Sequence, residues 1–127
     1  VVIQQLANRL HGSSHSFKVA DLTRMPLDEA SFDVVLDKGA LDAVLTGGKK
    51  SGRLAIREIA RVLLPGNGRY ILVSMGGPDR RLKDLQYPFS SLSRWPGATD
   101  APLFTCRSSP AATHSTAYIC NRSLVHP

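Results

Sequence analysis

Residues 32–45 read FDVVLDKGALDAVL. The first five, FDVVL, form an apolar run too short for a helix and rich in β-branched side chains, so a strand is expected over 32–36, closed by Asp37. Gly39 then permits a tight turn, and GALDAVL (residues 39–45) reads as a short helix ended by Gly47 and Gly48. A strand that is apolar along nearly its whole length is the pattern of a strand covered on both faces, as in a parallel sheet.

The same alternation continues downstream. RLAIREIARVLL (residues 53–64) is the strongest helical pattern, with Ala55, Ile59, Val62 and Leu63 on one face and Arg53, Arg57, Glu58 and Arg61 on the other. Pro65, Gly66 and Gly68 end it. RYILVSM (69–75) is the next expected strand, closed by Gly76-Gly77-Pro78. Upstream, FKVA (17–20) reads as a short strand ending at Asp21, and VVIQQLANRL (1–10) as a helix with Val2, Ile3, Leu6 and Leu10 on one face. Helix, strand, strand, helix, strand is an α/β order. The spacing suits crossovers, so the expected fold is a partial Rossmann-like α/β unit, a mostly parallel sheet with flanking helices.

Two regions differ in character, 1–87 and 88–127. The second is rich in Ser, Thr, Pro and Ala and reads as an irregular tail. Only AYIC (117–120) resembles a strand there, and a last sheet strand and a chance apolar cluster are equal readings. The chain opens at Val1 inside a helical pattern, which suggests a fragment or processed product. The net charge of +6 divides into +4 over residues 1–87 and +2 over the rest. The excess is spread out and not interleaved with aromatics, so no nucleic-acid surface is expected. Cys106 and Cys120 lack metal spacing and a framework pattern, which favours reduced thiols and a cytoplasmic setting. No apolar run approaches the ~20 residues that cross a bilayer.

Chemistry in an open α/β sheet gathers beyond the carboxyl ends of its strands. Asp21 and Asp37 stand at two such ends. Each is read either as an acceptor for a ligand amine or hydroxyl, or as a residue that opens a loop or caps the next turn. Lys38 and Gly39 follow directly. Asp33 reads as solvated; Asp42 reads as a solvated helix face ahead of a substrate-positioning role, and Ser74 and Met75 as the last turn of a strand ahead of a place in the same crevice. GGKKSG (47–52) fails as a phosphate loop, because Ala43 stands where the first Gly belongs and a helix precedes it; it is expected to be a mobile basic loop. The histidines show no metal spacing.

VADLTRMPLDEASFDVVLDKGALDAVL (19–45) and REIARVLLPGNGRYILVS (57–74) resemble class I S-adenosylmethionine-dependent methyltransferases, and the D-K-G-x-L-D form resembles the eukaryotic methyltransferase-like proteins that modify translation elongation factor 1A on lysine or its N-terminus. The resemblance covers about residues 1–87. It implies methyl transfer from S-adenosyl-L-methionine, with a protein lysine as acceptor. It places Asp21 and the Leu22 amide near the cofactor's adenine, and Asp37, Lys38 and Gly39 along the donor and acceptor wall, with Asp37 as the catalytic candidate. The residues themselves give the expectation of no metal, no nucleic acid and no membrane, from the spacing, the spread of charge and the lack of a long apolar run. The family's Gly-rich loop and ribose-binding acid lie ahead of what residues 1–10 match and have no counterpart here. A non-catalytic interaction module or pseudo-enzyme is therefore the competing expectation. A nicotinamide oxidoreductase is disfavoured, because G-x-G-x-x-G is missing.

Overall fold

A computed structural model describes residues 2–10, 12, 14–87 and 101–124. Its elements run α1 (Val2–Arg9), β1 (Val34–Lys38), α2 (Ala40–Thr46), α3 (Lys49–Val62), β2 (Arg69–Ser74), α4 (Pro78–Leu85), β3 (Phe104–Ala112) and β4 (Ser115–Arg122). The side chains of Val2, Ile3 and Leu6, on which the expected face of the first helix rests, lie outside the described residues, as does the 88–100 part of the expected tail.

The four strands form one sheet in the order β1-β2-β4-β3. β1 and β2 pair in parallel, with Asp37 opposite Leu72. β2–β4 and β3–β4 are antiparallel. The expectation of a mostly parallel sheet is thus corrected: among the described residues one of three strand pairings is parallel. The reason lies in the connections. α2 and α3 supply the long crossover that parallel neighbours need, whereas only Thr113 and His114 separate β3 from β4, which forces a hairpin.

The stretch expected to be irregular supplies β3 and β4. β3 escapes a periodicity reading because it is an edge strand with one buried residue, Phe104, followed by mostly exposed Ser, Pro and Ala. Pro110 is tolerated where no ladder partner lies on the outer side, and the register shifts beside it. AYIC belongs to β4. The strand expected over 17–20 does not form; Val19 is 83% exposed, and among the described residues no strand runs beside this segment. GGKKSG is not a loop throughout, since α3 begins at Lys49. α4 was not foreseen.

Helices α2, α3 and α4 pack on one face of the sheet. Leu41 of α2 and Ala55, Ile56, Ile59 and Ala60 of α3 meet Tyr70 and Leu72 of β2, Phe104 of β3, and Tyr118 and Cys120 of β4. The rings of Tyr70 and Phe104 stand 5.7 Å apart and tie the two strands beneath β4. On the opposite face Val34 and Leu36 are 49% and 73% exposed. The apolar run of β1 therefore does not reflect cover on both faces among the described residues. Cys106 and Cys120 are cross-strand partners joined by a disulfide, which corrects the expectation of free thiols.

Candidate functional site

The parallel pair β1–β2 brings two strand ends side by side. At the first, Asp37 is only 6% exposed. Its Oδ1 accepts the Ala40 amide at 2.7 Å; its Oδ2 accepts the Leu41 amide at 3.0 Å and the Tyr70 hydroxyl at 2.7 Å. The carboxylate thus satisfies the first free amides of α2, the capping reading of the sequence. Burial first, and then the neighbouring Asp37, push the Tyr70 phenol far above its ordinary pKa, so it stays protonated and donating. Between strand and helix, Gly39 adopts φ +82° and donates its amide to the Val73 carbonyl of β2 at 3.1 Å. A side chain there would be strained although nothing lies within 4 Å of a Cβ. Lys38 is exposed.

The second strand end is held by groups the sequence reading passed over. Asp42, on α2, accepts from Ser74 Oγ at 2.6 Å, from the Met75 amide at 2.9 Å and from Arg81 Nη2 at 2.6 Å. Arg81, 6% exposed, also donates Nε to Ser74 Oγ and Nη1 to Asp84 at 2.8 Å. The Gly76 amide donates to Ser74 Oγ, and the Tyr118 hydroxyl donates to the Gly76 carbonyl. One buried guanidinium thereby ties α2, the end of β2 and α4 together. Asp42 is not the solvated helix residue expected, because α2 lays it across the end of β2. Ser74 is likewise more than a last turn.

Asp21 lies apart from any strand, in a turn closed by the Arg24 amide on its carbonyl at 3.0 Å. Its Oδ1 accepts the Thr23 amide and hydroxyl, both at 2.8 Å, and these bonds, the amide's first, hold its pKa below the ordinary carboxylate value. Among the described residues its Oδ2 takes no donor. Leu22 is half-buried against the core. The segment that follows is anchored to α3: the Met25 amide donates to Glu58, and Arg61 donates to the Met25 carbonyl and pairs with Glu58 at 2.9 Å.

Two hollows open at the β2 end. One, of about 730 Å³, lies between Met75-Gly77-Pro78 and the β3–β4 hairpin around His114. The other, of about 350 Å³, is lined by Asp42, Met75, Gly76 and Arg81, among others. Among the described residues no group of three or more His, Cys, Asp or Glu could hold a metal ion, and no helix is long and apolar enough to cross a membrane.

The family model of a methyltransferase domain matches residues 2–72. The chain belongs to the methyltransferase-domain family. Relatives of this methyltransferase domain include the human eEF1A lysine and N-terminal methyltransferase, 42% identical over 81 residues, covering 59% of this chain and 11% of that protein. The mouse EEF1A lysine methyltransferase 4 is 32% identical over 93 residues, covering 65% of this chain and 36% of that protein. The chain therefore spans between about a tenth and a third of these relatives' lengths. Among solved structures, a SAM-dependent methyltransferase from Methanosarcina mazei superposes with a TM-score of 0.60 at 19% identity, covering 97% of this chain and 78% of that one. A protein from Pyrococcus horikoshii reaches 0.62 at 14% identity, with 94% and 67% covered. These likenesses establish the fold. S-adenosyl-L-methionine is the methyl donor of the class, as expected.

Within the methyltransferase domain, Asp37, Lys38 and Gly39 come together at one strand end, and Asp21 and Leu22 sit in a separate turn. The residues missed were Asp42, Ser74 and Arg81. One signal was available: Asp42 falls on the D-K-G-x-L-D motif, five residues after Asp37, which turns it toward the next strand of the sheet. Nothing in the pattern marked Arg81.

Proposed function

We propose that this domain takes part in methyl transfer from S-adenosylmethionine to a protein lysine, with an elongation factor of the eEF1A kind as acceptor. The observation that carries the reading is the paired strand ends: Gly39, with open space where a side chain would stand, lies beside the Ser74–Gly76 end of β2. The names of the curated relatives support the acceptor class.

The residues present fit the adenosyl end of such a cofactor. Asp21 has an oxygen that takes no donor among the described residues and can accept from an exocyclic amine, Leu22 offers an adjoining amide and apolar flank, and the backbone can approach closely at Gly39, where no Cβ intervenes. When bound, the cofactor supplies an electrophilic methyl group on sulfur. The protein's part in such a transfer is alignment. Asp37, assigned catalysis from its place in the motif, contributes here by setting the wall: its three hydrogen bonds hold the turn that carries Lys38 and Gly39. Asp42, Ser74 and Arg81 set the facing wall in the same way.

Burial of the Asp37 carboxylate beneath three donors favours one competing reading, a binding module without catalysis. Titration calorimetry of the chain with S-adenosylhomocysteine separates the cases. Saturable heat that Asp21→Ala measurably weakens is expected if its exposed carboxylate accepts from the ligand. No heat at millimolar ligand would leave the non-catalytic module.

A further inference from the structure

The 350 Å³ hollow at the end of β2 adjoins a smaller one, of about 150 Å³, between α3 and α4, and the two share Leu45, Lys49 and Asp84. Arg80 lines the first hollow, and Arg53 and Lys83 line the second. Both acids there, Asp42 and Asp84, are occupied by Arg81, at 2.6 and 2.8 Å. Lys49, Arg53, Arg80 and Lys83 form no salt bridge among the described residues. Among the described residues these four cations converge on one surface where Arg81 and its two carboxylates leave a single negative charge, so three positive charges stay in excess, although the chain's charge looked diffuse in sequence. Helical spacing produces the convergence: Lys49 and Arg53 are four residues apart on α3, Arg80 and Lys83 three apart on α4, and each pair shares a helix face. The Arg53 guanidinium lies 3.7 Å from the centre of the Tyr87 ring, which fixes one cation in place.

We infer that Lys49, Arg53, Arg80 and Lys83 form a docking platform for an acidic polypeptide segment, and, on the methyltransferase reading, that this segment belongs to the protein acceptor. The platform borders Met75 and Gly76, so a chain held on it lies beside the strand ends where that reading places the reaction. Like charges left clustered repel one another, and an anionic partner relieves the repulsion while steering encounter. A nucleic acid suits the surface less well. Among the described residues Tyr87 is the one aromatic ring lining either hollow, and Arg53 covers a face of it, which removes a platform for base stacking.

The test is fluorescence anisotropy of the full chain with fluorescein-labelled octaglutamate at low salt, without cofactor. Binding is expected, weakening as salt rises through the range where the Debye length falls below about 10 Å. The exposed-surface variant Lys49→Glu/Lys83→Glu should bind at least about tenfold more weakly. A control of equal charge change away from the platform, Lys18→Glu/Arg107→Glu, should retain more than half of the affinity. No binding of the peptide, equal losses in both double variants, or tighter binding of a single-stranded oligonucleotide of matched charge would each overturn the inference. Because the assay contains no cofactor, a failure here leaves the calorimetric test of the methyltransferase reading untouched, and the reverse holds as well.

Discussion

Replacing Asp37 by Ala should unfold the turn that shapes the site more than it disturbs any single contact. The substitution strands three donors: the Ala40 and Leu41 amides and the Tyr70 hydroxyl. Loss of the helix cap costs about 1 kcal/mol. Leaving the hydroxyl of a fully buried Tyr70 without an acceptor costs about 1–3 kcal/mol more. The sum, about 2–4 kcal/mol, is a large share of the stability of a small domain. Tyr70→Phe removes the stranded hydroxyl, so in the Asp37→Ala background it should recover part of the loss, whereas in the wild type it should cost about 1 kcal/mol. The double-mutant cycle therefore predicts a coupling of at least about 1 kcal/mol between the two positions. Urea unfolding followed by circular dichroism measures it, provided the slope with denaturant is unchanged across the four proteins. An Asp37→Ala cost below about 0.5 kcal/mol, or additivity within about 0.3 kcal/mol, would refute the capping role and return Asp37 to its other reading from the sequence, an acceptor for a ligand.

Three further outcomes follow from other parts of the fold. Gly39→Ala should cost about 1–2 kcal/mol through backbone strain alone, since nothing crowds the added carbon, and the urea midpoint reads it. The Glu58 carboxyl is held below its ordinary value of 4.5, chiefly by Arg61; its contribution is complete above that pH and is lost as pH falls through the lower folded value. Melting temperature should therefore drop less steeply below pH 4.5 in Glu58→Gln than in the wild type. Cys106→Ala/Cys120→Ala opens a loop closed across a sequence separation of 14, and should lower the unfolding free energy by about 3 kcal/mol, with no additional effect of dithiothreitol.

What was legible in the sequence was what rests on local periodicity and a tight turn. The β1, α2, α3 and β2 segments follow from continuous apolar runs, a 3.6-residue stripe and the Gly39 and Pro65-Gly66 stops, and all four form within a few residues of their expected bounds. Pairing was not legible. β4 sits between β2 and β3 because a two-residue connection turns the chain back, and that antiparallel insertion leaves no trace in the composition of β2. β3 was hidden because an edge strand buries little, and FKVA was misread because a run of suitable residues makes a strand only where a ladder partner is available. At the site, the motif located Asp37, Lys38 and Gly39, but their roles depended on contacts across 33 residues, Asp37 to Tyr70, and 39 residues, Asp42 to Arg81. Spacing carries no record of such pairs. The two acids expected to share a crevice differ for the same reason: Asp37 is buried under donors, and Asp21 is exposed in a turn of its own.

The claim that most needs measurement is that the carboxyl ends of β1 and β2 form the ligand-binding edge of the chain. Amide chemical shifts of the isotopically labelled protein, followed during titration with S-adenosylhomocysteine, report this residue by residue. Shifts concentrated at Asp21–Leu22, Lys38–Gly39 and Ser74–Gly76 are the predicted result. Shifts confined to the far end of the same strands, around Asp33 and Gly68–Arg69, or a spectrum unchanged at millimolar ligand, would contradict it.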